Sequence, residues 1–171
     1  MQRIVISFLI GTLFLLSCSS NRSKYDFNYC VSLLDSIDLD SVKGLTDLSV
    51  RWRSGVLLFE IQNKVDAPSI PYYIKENNKQ LILGGGKRWV YLDSLQIEKR
   101  TMLDSIYLQK DRIKYCYSLM NKYPLKRINH LAKRRTTVLE IDTFSFVNAR
   151  DSSCFAYRNV ELLKEDWWIH K

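Results

Sequence analysis

Two histidines, His130 and His170, are all the imidazole this chain has. Neither stands at ligand spacing from another metal-binding side chain. No HExxH, CxxC, GxSxG or SxxK string occurs, so the spacings by which zinc hydrolases, dithiol redox proteins and serine acyl-enzymes bring their reacting groups together are all missing. The sequence calls for no metal and no cofactor, and it names no catalytic residue. There are only three prolines and six glycines, with no internal repeat and no low-complexity segment. Apolar content of 46% with 12% aromatic residues excludes a disordered chain. A long membrane span is also missing. Ile4–Leu16 is 13 residues without a charge, short of the roughly 20 that cross a bilayer as a helix.

What is there begins with that run. One positive charge, Arg3, precedes it and Leu15-Leu16-Ser17-Cys18 closes it. The length suits the apolar region of a secretory signal, but Leu15 sits where a small-x-small cleavage site would need a small residue. Aliphatic, tolerated, small, then cysteine resembles the lipobox of bacterial lipoproteins, of the small Bacteroidota type. The resemblance covers only the leader. It implies that residues 1–17 are removed and that Cys18 carries a thioether-linked diacylglycerol and an N-acyl chain such as palmitate. Residues 18–24 would be a short lipidated tether, and 25–171 a single folded domain. Two or more long chains hold a protein stably to a membrane, at about 0.8 kcal/mol per buried methylene. Ser19 in place of Asp after the cysteine favours the outer membrane by the enteric sorting rule. The lack of an acidic run after Cys18 favours the periplasmic side.

Arg3 is the leader's only charge, so the mature chain has 25 basic residues against 18 acidic, a formal +7. Near a bilayer that favours anionic headgroups. Nucleic acid is the usual partner of a basic chain, but the envelope address excludes it here. Cys30, Cys116 and Cys154 remain besides Cys18 and allow at most one disulfide. Cys30 and Cys116 fall on apolar helical stripes, where a free thiol packs as a small hydrophobe.

The patterning predicts an α+β fold, a mostly antiparallel sheet with two or three amphipathic helices packed on it. Phe27, Cys30, Val31, Leu34 and Ile37 make one helical face, predicting a helix over 25–38 with Ser23 and Asp26 as a capping pair. Val56 to Ile61 alternates as a strand. Ile70 to Ile74 contains Pro71, which predicts a short edge segment. Gln80–Leu83 and Arg88–Leu92 flank Gly84-Gly85-Gly86-Lys87 as a hairpin, and the glycines lack phosphate-loop spacing. Ile113, Cys116, Tyr117, Met120 and Tyr123 predict a helix that Pro124 ends. Leu125, Ile128, Leu131 and Ala132 predict a second, short helix. Thr136 to Val147 alternates and slips at Asp142-Thr143, which predicts a bulge or break. Cys154–Arg158 reads as a strand. Val160–Leu163 and Trp167–His170 read as a final pair, with the adjacent tryptophans on opposite faces.

Three constellations could carry function. Asp35, Asp38 and Asp40 cluster but miss the calcium-loop pattern. Trp52, Tyr72, Tyr73, Trp89, Tyr91 and Trp168 could stack on sugar rings, which would suit a glycan-binding or glycan-hydrolysing envelope protein. Lys126, Arg127, His130, Lys133, Arg134 and Arg135 form the densest basic cluster. On the expected helix, Lys126, Arg127, Lys133, Arg134 and Arg135 would face an anionic surface. The expectation is a non-enzymatic envelope binding module, an immunity-type protein being one version. Its partner would be an envelope protein or anionic lipid.

Overall fold

A computed structural model describes residues 23–62, 69–77, 80–85, 88–94, 109–150 and 159–170. The leader, Cys18, the expected Cys154–Arg158 strand and residues 95–108 lie outside the described residues.

The fold is sheet-rich. Ten strands form one sheet: β1 (Leu48–Arg53), β2 (Val56–Gln62), β3 (Ser69–Asn77), β4 (Gln80–Gly85), β5 (Arg88–Tyr91), β6 (Leu125–Leu131), β7 (Thr136–Ile141), β8 (Phe144–Asn148), β9 (Val160–Lys164) and β10 (Trp167–His170). Their order is β5-β4-β3-β2-β1-β6-β7-β8-β10-β9, and every pairing is antiparallel. Two meanders, β1–β5 and β6–β8, therefore meet at the β1·β6 ladder. Helix α1 (Phe27–Leu34), the single turn α2 (Leu39–Val42) and helix α3 (Lys110–Lys122) pack on the core face.

Period-two alternation builds that face. Tyr72, Phe59, Val50, Ile128, Leu139, Phe146 and Ile169 are successive cross-strand partners, one continuous row over seven strands. Cys30, Leu33 and Leu34 of α1 and Ile113, Cys116, Leu119 and Met120 of α3 close over the row. Of the stripes read from the sequence, Cys30 and Leu34 of α1 and Ile113, Cys116 and Met120 of α3 are buried, joined by Leu33 and Leu119, and α3 ends before Pro124 as expected.

Several expectations change. The first helix is shorter than 25–38. Asp26 alone caps it, accepting from the Asn28 and Tyr29 amides, and Asp38 caps a separate turn. The Ile70–Ile74 segment is not an edge: β3 lies between β2 and β4. Pro71 is accommodated because it pairs with Glu60 on one side only, the β3–β4 ladder beginning at Tyr73. The expected helix at Leu125–Ala132 is strand β6. Apolar residues three apart fit a bulged strand as well as a helix, and the register slips between Leu125 and Arg127. The slip puts Leu125, Ile128 and His130 all on the buried side. The break at Asp142-Thr143 is a two-residue hairpin turn, with Asp142 at φ 51. The hairpin of β4 and β5 and the closing pair β9 and β10 stand as read, with Trp167 buried and Trp168 half-buried.

Candidate functional site

The core face turns polar towards one end of the sheet. One step from the apolar row, Leu48, His130, Thr137, Asn148 and Trp167 are cross-strand partners in sequence. His130, Thr137 and Asn148 are all buried. A buried polar group needs a partner, and each has one. His130 Nδ1 lies 3.0 Å from Thr137 Oγ1, and Nε2 lies 3.2 Å from the Gly44 carbonyl oxygen. Asn148 Nδ2 donates to the Asp166 carbonyl at 3.4 Å.

Burial, and then the Arg112 charge, push the His130 imidazole below its ordinary pKa. Arg112 donates to the Val42 carbonyl at 2.7 Å and the Thr46 carbonyl at 3.1 Å, tying the 43–47 loop to α3. His130 and Arg112 thus anchor one loop from two sides, which marks His130 as structural. The unfolded chain takes up a proton as pH falls through about 6.5, while the folded state resists it until its own lower pKa. Stability should therefore drop as pH falls from about 7 towards 5, and His130→Gln should flatten that slope in urea titrations across pH.

Asn148 and Trp167 also line an open cleft of about 340 Å³. One wall is the α1–α2 connection with Leu34, Ile37, Asp38, Asp40 and Lys43. The other is the β9–β10 turn with Glu165 and Asp166. Four carboxylates face one lysine there. Asp38 is committed to capping. Its carboxyl is held below the usual range, chiefly by the Ser41 hydroxyl and then by backbone amides. Asp40 sits 3.6 Å from Lys43 on the open side, and Asp35 is paired with Lys164 nearby. The cleft can accept hydrogen bonds from an ammonium, guanidinium or hydroxyl group. The Ser41 hydroxyl beside it donates to Asp38 Oδ2 as part of the α2 cap, and among the described residues no group of three His, Cys, Asp or Glu could hold a metal ion. Of the sequence candidates, Asp38 and Asp40 belong to this cleft. Glu165, Asp166 and Asn148 were missed, because only the sheet order brings β8 and the β9–β10 turn beside α2.

The basic cluster is not one surface. Lys126 opens β6 and lies 3.7 Å from Asp142. Arg127 lies on the other face of the sheet from the core and pairs with Glu140 at 3.2 Å, beside the Arg51–Glu60 pair. Lys133, Arg134 and Arg135 sit in the β6–β7 turn at the far end of the hairpin. Five steps of β7 separate the two ends, about 17 Å. A helix would have brought these residues together on adjacent turns, and the strand separates them. The aromatic pool is dispersed too. Tyr72 is buried, Tyr73 and Trp168 are half-buried, Trp52 and Tyr91 are exposed, and the side chain of Trp89 lies outside the described residues.

Cys30 and Cys116 are buried free thiols, as their stripes implied. Burial pushes the Cys116 thiol up to about 12, so it has almost no thiolate at neutral pH. Iodoacetamide should label Cys116 in the native protein at least about 100-fold more slowly than in urea, as read by peptide mass.

No protein-family model matches the chain, no curated protein is significantly similar to it, and no solved structure matches its fold.

Proposed function

We infer that this chain is a lipid-anchored cell-envelope protein whose α+β body acts as a non-enzymatic binding module, held at the outer membrane on its periplasmic side. The observation that carries this is the Leu15-Leu16-Ser17-Cys18 string, five residues before Ser23, where the described fold begins. Ser23, Lys24 and Tyr25 are already bonded to Asp142. An acylated Cys18 would therefore hold the body directly against its membrane. The acidic cleft supports the binding half of the reading. It is concave and polar, with Asp38 engaged in a helix cap and Asp40 paired with Lys43. A donor-rich envelope protein is the partner its chemistry suits. A glycan site has less behind it, because among the described residues the aromatic lining of the cleft is Trp167, which is 6% exposed and offers no stacking platform.

Labelled palmitate fed to cells should enter the wild-type protein and leave a Cys18→Ala variant unlabelled. No incorporation into wild type, or equal incorporation into both, would remove the anchor from the account.

A further inference from the structure

The strand directions give the sheet two distinct ends. Chain entry at Ser23, the Ser54–Gly55 turn, the start of β6 and the Asp142–Thr143 turn all fall at one end. The acidic cleft and the β6–β7 turn fall at the other. The entry point is fixed in place. Ser23 Oγ donates to Asp142 Oδ2 at 2.8 Å, and the Lys24 and Tyr25 amides donate to the same oxygen.

We propose that the entry end is a membrane-facing surface that contacts anionic lipid headgroups through Lys24, Arg53, Lys122 and Lys126, with Trp52 beside them. This rests on the anchored reading above. Four residues, 19–22, separate Cys18 from Ser23, so Ser23 lies within about 18 Å of an acylated Cys18 however the intervening chain runs. The cleft residue Asn148 is a further four steps along β8, about 14 Å more distant.

The chemistry of this end matches the placement. Lys24, Arg53, Lys122 and Lys126 are exposed. Lys122 is the last residue of α3, its Nζ 4.8 Å from the Tyr123 ring centroid. Arg53 ends β1, just past Arg51, which pairs with Arg127. Of the nearby acids Asp142 is turned inward, while Asp26 and Glu161 are exposed. Asp142 accepts from Ser23, Lys24 and Tyr25, its side chain only 12% accessible, and Asp26 accepts from the first α1 amides. Glu76, near the end of β3, and Asp93, just past β5 and paired with Lys114, are exposed acids at this end of the first meander. Trp52 is 42% exposed, and an indole beside cations suits the headgroup layer. Each basic residue close to an anionic surface adds to the attraction.

The test is lysine footprinting of the full-length lipidated protein, reconstituted in phosphatidylglycerol-rich vesicles and, separately, in phosphatidylcholine vesicles. Amine acylation at each lysine is followed by peptide mass. Lys24, Lys122 and Lys126 should react about threefold or more slowly on the anionic vesicles, with Lys133 and Lys164 unchanged. A Lys122→Glu, Lys126→Glu variant should lose the protection at Lys24. Equal rates on the two vesicle types, or protection confined to Lys133 and Lys164, would overturn the surface while leaving the anchor standing. A Cys18 peptide without acyl chains in the same digest would remove the anchor and this surface together.

Discussion

Phe59→Ala should be the most damaging single substitution in the described fold, lowering stability by about 3–5 kcal/mol. Phe59 is fully buried in β2, with Val50 and Tyr72 as its cross-strand partners. It therefore sits inside the seven-strand row, near the junction of the two meanders. Truncation leaves a cavity that β-strands on both sides cannot close without breaking their ladders, so little relaxation is available. The loss is a large part of the 5–15 kcal/mol that holds a typical domain together. Urea unfolding followed by far-ultraviolet circular dichroism would read it. Phe59→Leu, which keeps most of the volume, should cost less than half as much. Equal losses for the two variants would show that the row does not behave as a packed unit.

Asp142→Ala should cost about 2–3 kcal/mol. One carboxylate oxygen accepts from Ser23 Oγ, Lys24 N and Tyr25 N, and the other lies 3.7 Å from Lys126. Asp142 also sits at φ 51 in a two-residue turn, a conformation alanine tolerates less well than Asp or Asn. Asp142→Asn keeps an acceptor and the turn, so it should lose about 1 kcal/mol. The pH dependence separates the two contributions. Desolvation raises the Asp142 pKa, but the Ser23 hydroxyl, the Tyr25 and Lys24 amides and the Lys126 charge outweigh it and hold the carboxyl below its ordinary value. The charge therefore stabilises the fold fully above about pH 4, and that contribution fades as pH falls through the lower folded-state value. The gap between wild type and Asp142→Asn should be constant from neutral pH to about 4 and should narrow below it. A gap that stays open at lower pH would assign the effect to turn geometry instead.

How much of this was legible in the chain depended on local spacing. The stripes over Phe27–Leu34 and Ile113–Tyr123 carry their own period, and both fall on helices whose core side includes Cys30, Leu34, Ile113, Cys116 and Met120. Val56–Gln62 and the glycine-flanked hairpin carry theirs. Leu48-Ser49-Val50-Arg51-Trp52-Arg53 alternates in the same way and is β1. Leu125–Leu131 carries two readings at once. Only its place between β1 and β7 decides for the strand, and a neighbour on either side is a property of the whole sheet. The same holds for the candidate sites. A basic surface drawn on a helix dissolves when the segment is extended. An acidic cleft forms because residues more than a hundred positions apart, Asp38 and Glu165, end up on facing walls. The proposed lipobox differs in kind, since its chemistry would need only four adjacent residues.

The most direct test of the whole account is the intact mass of the protein extracted from cell envelopes. A chain starting at Cys18 and carrying diacylglycerol with a third acyl group is the predicted result. A chain that retains residues 1–17, or one that starts at Cys18 without acyl chains, would contradict it.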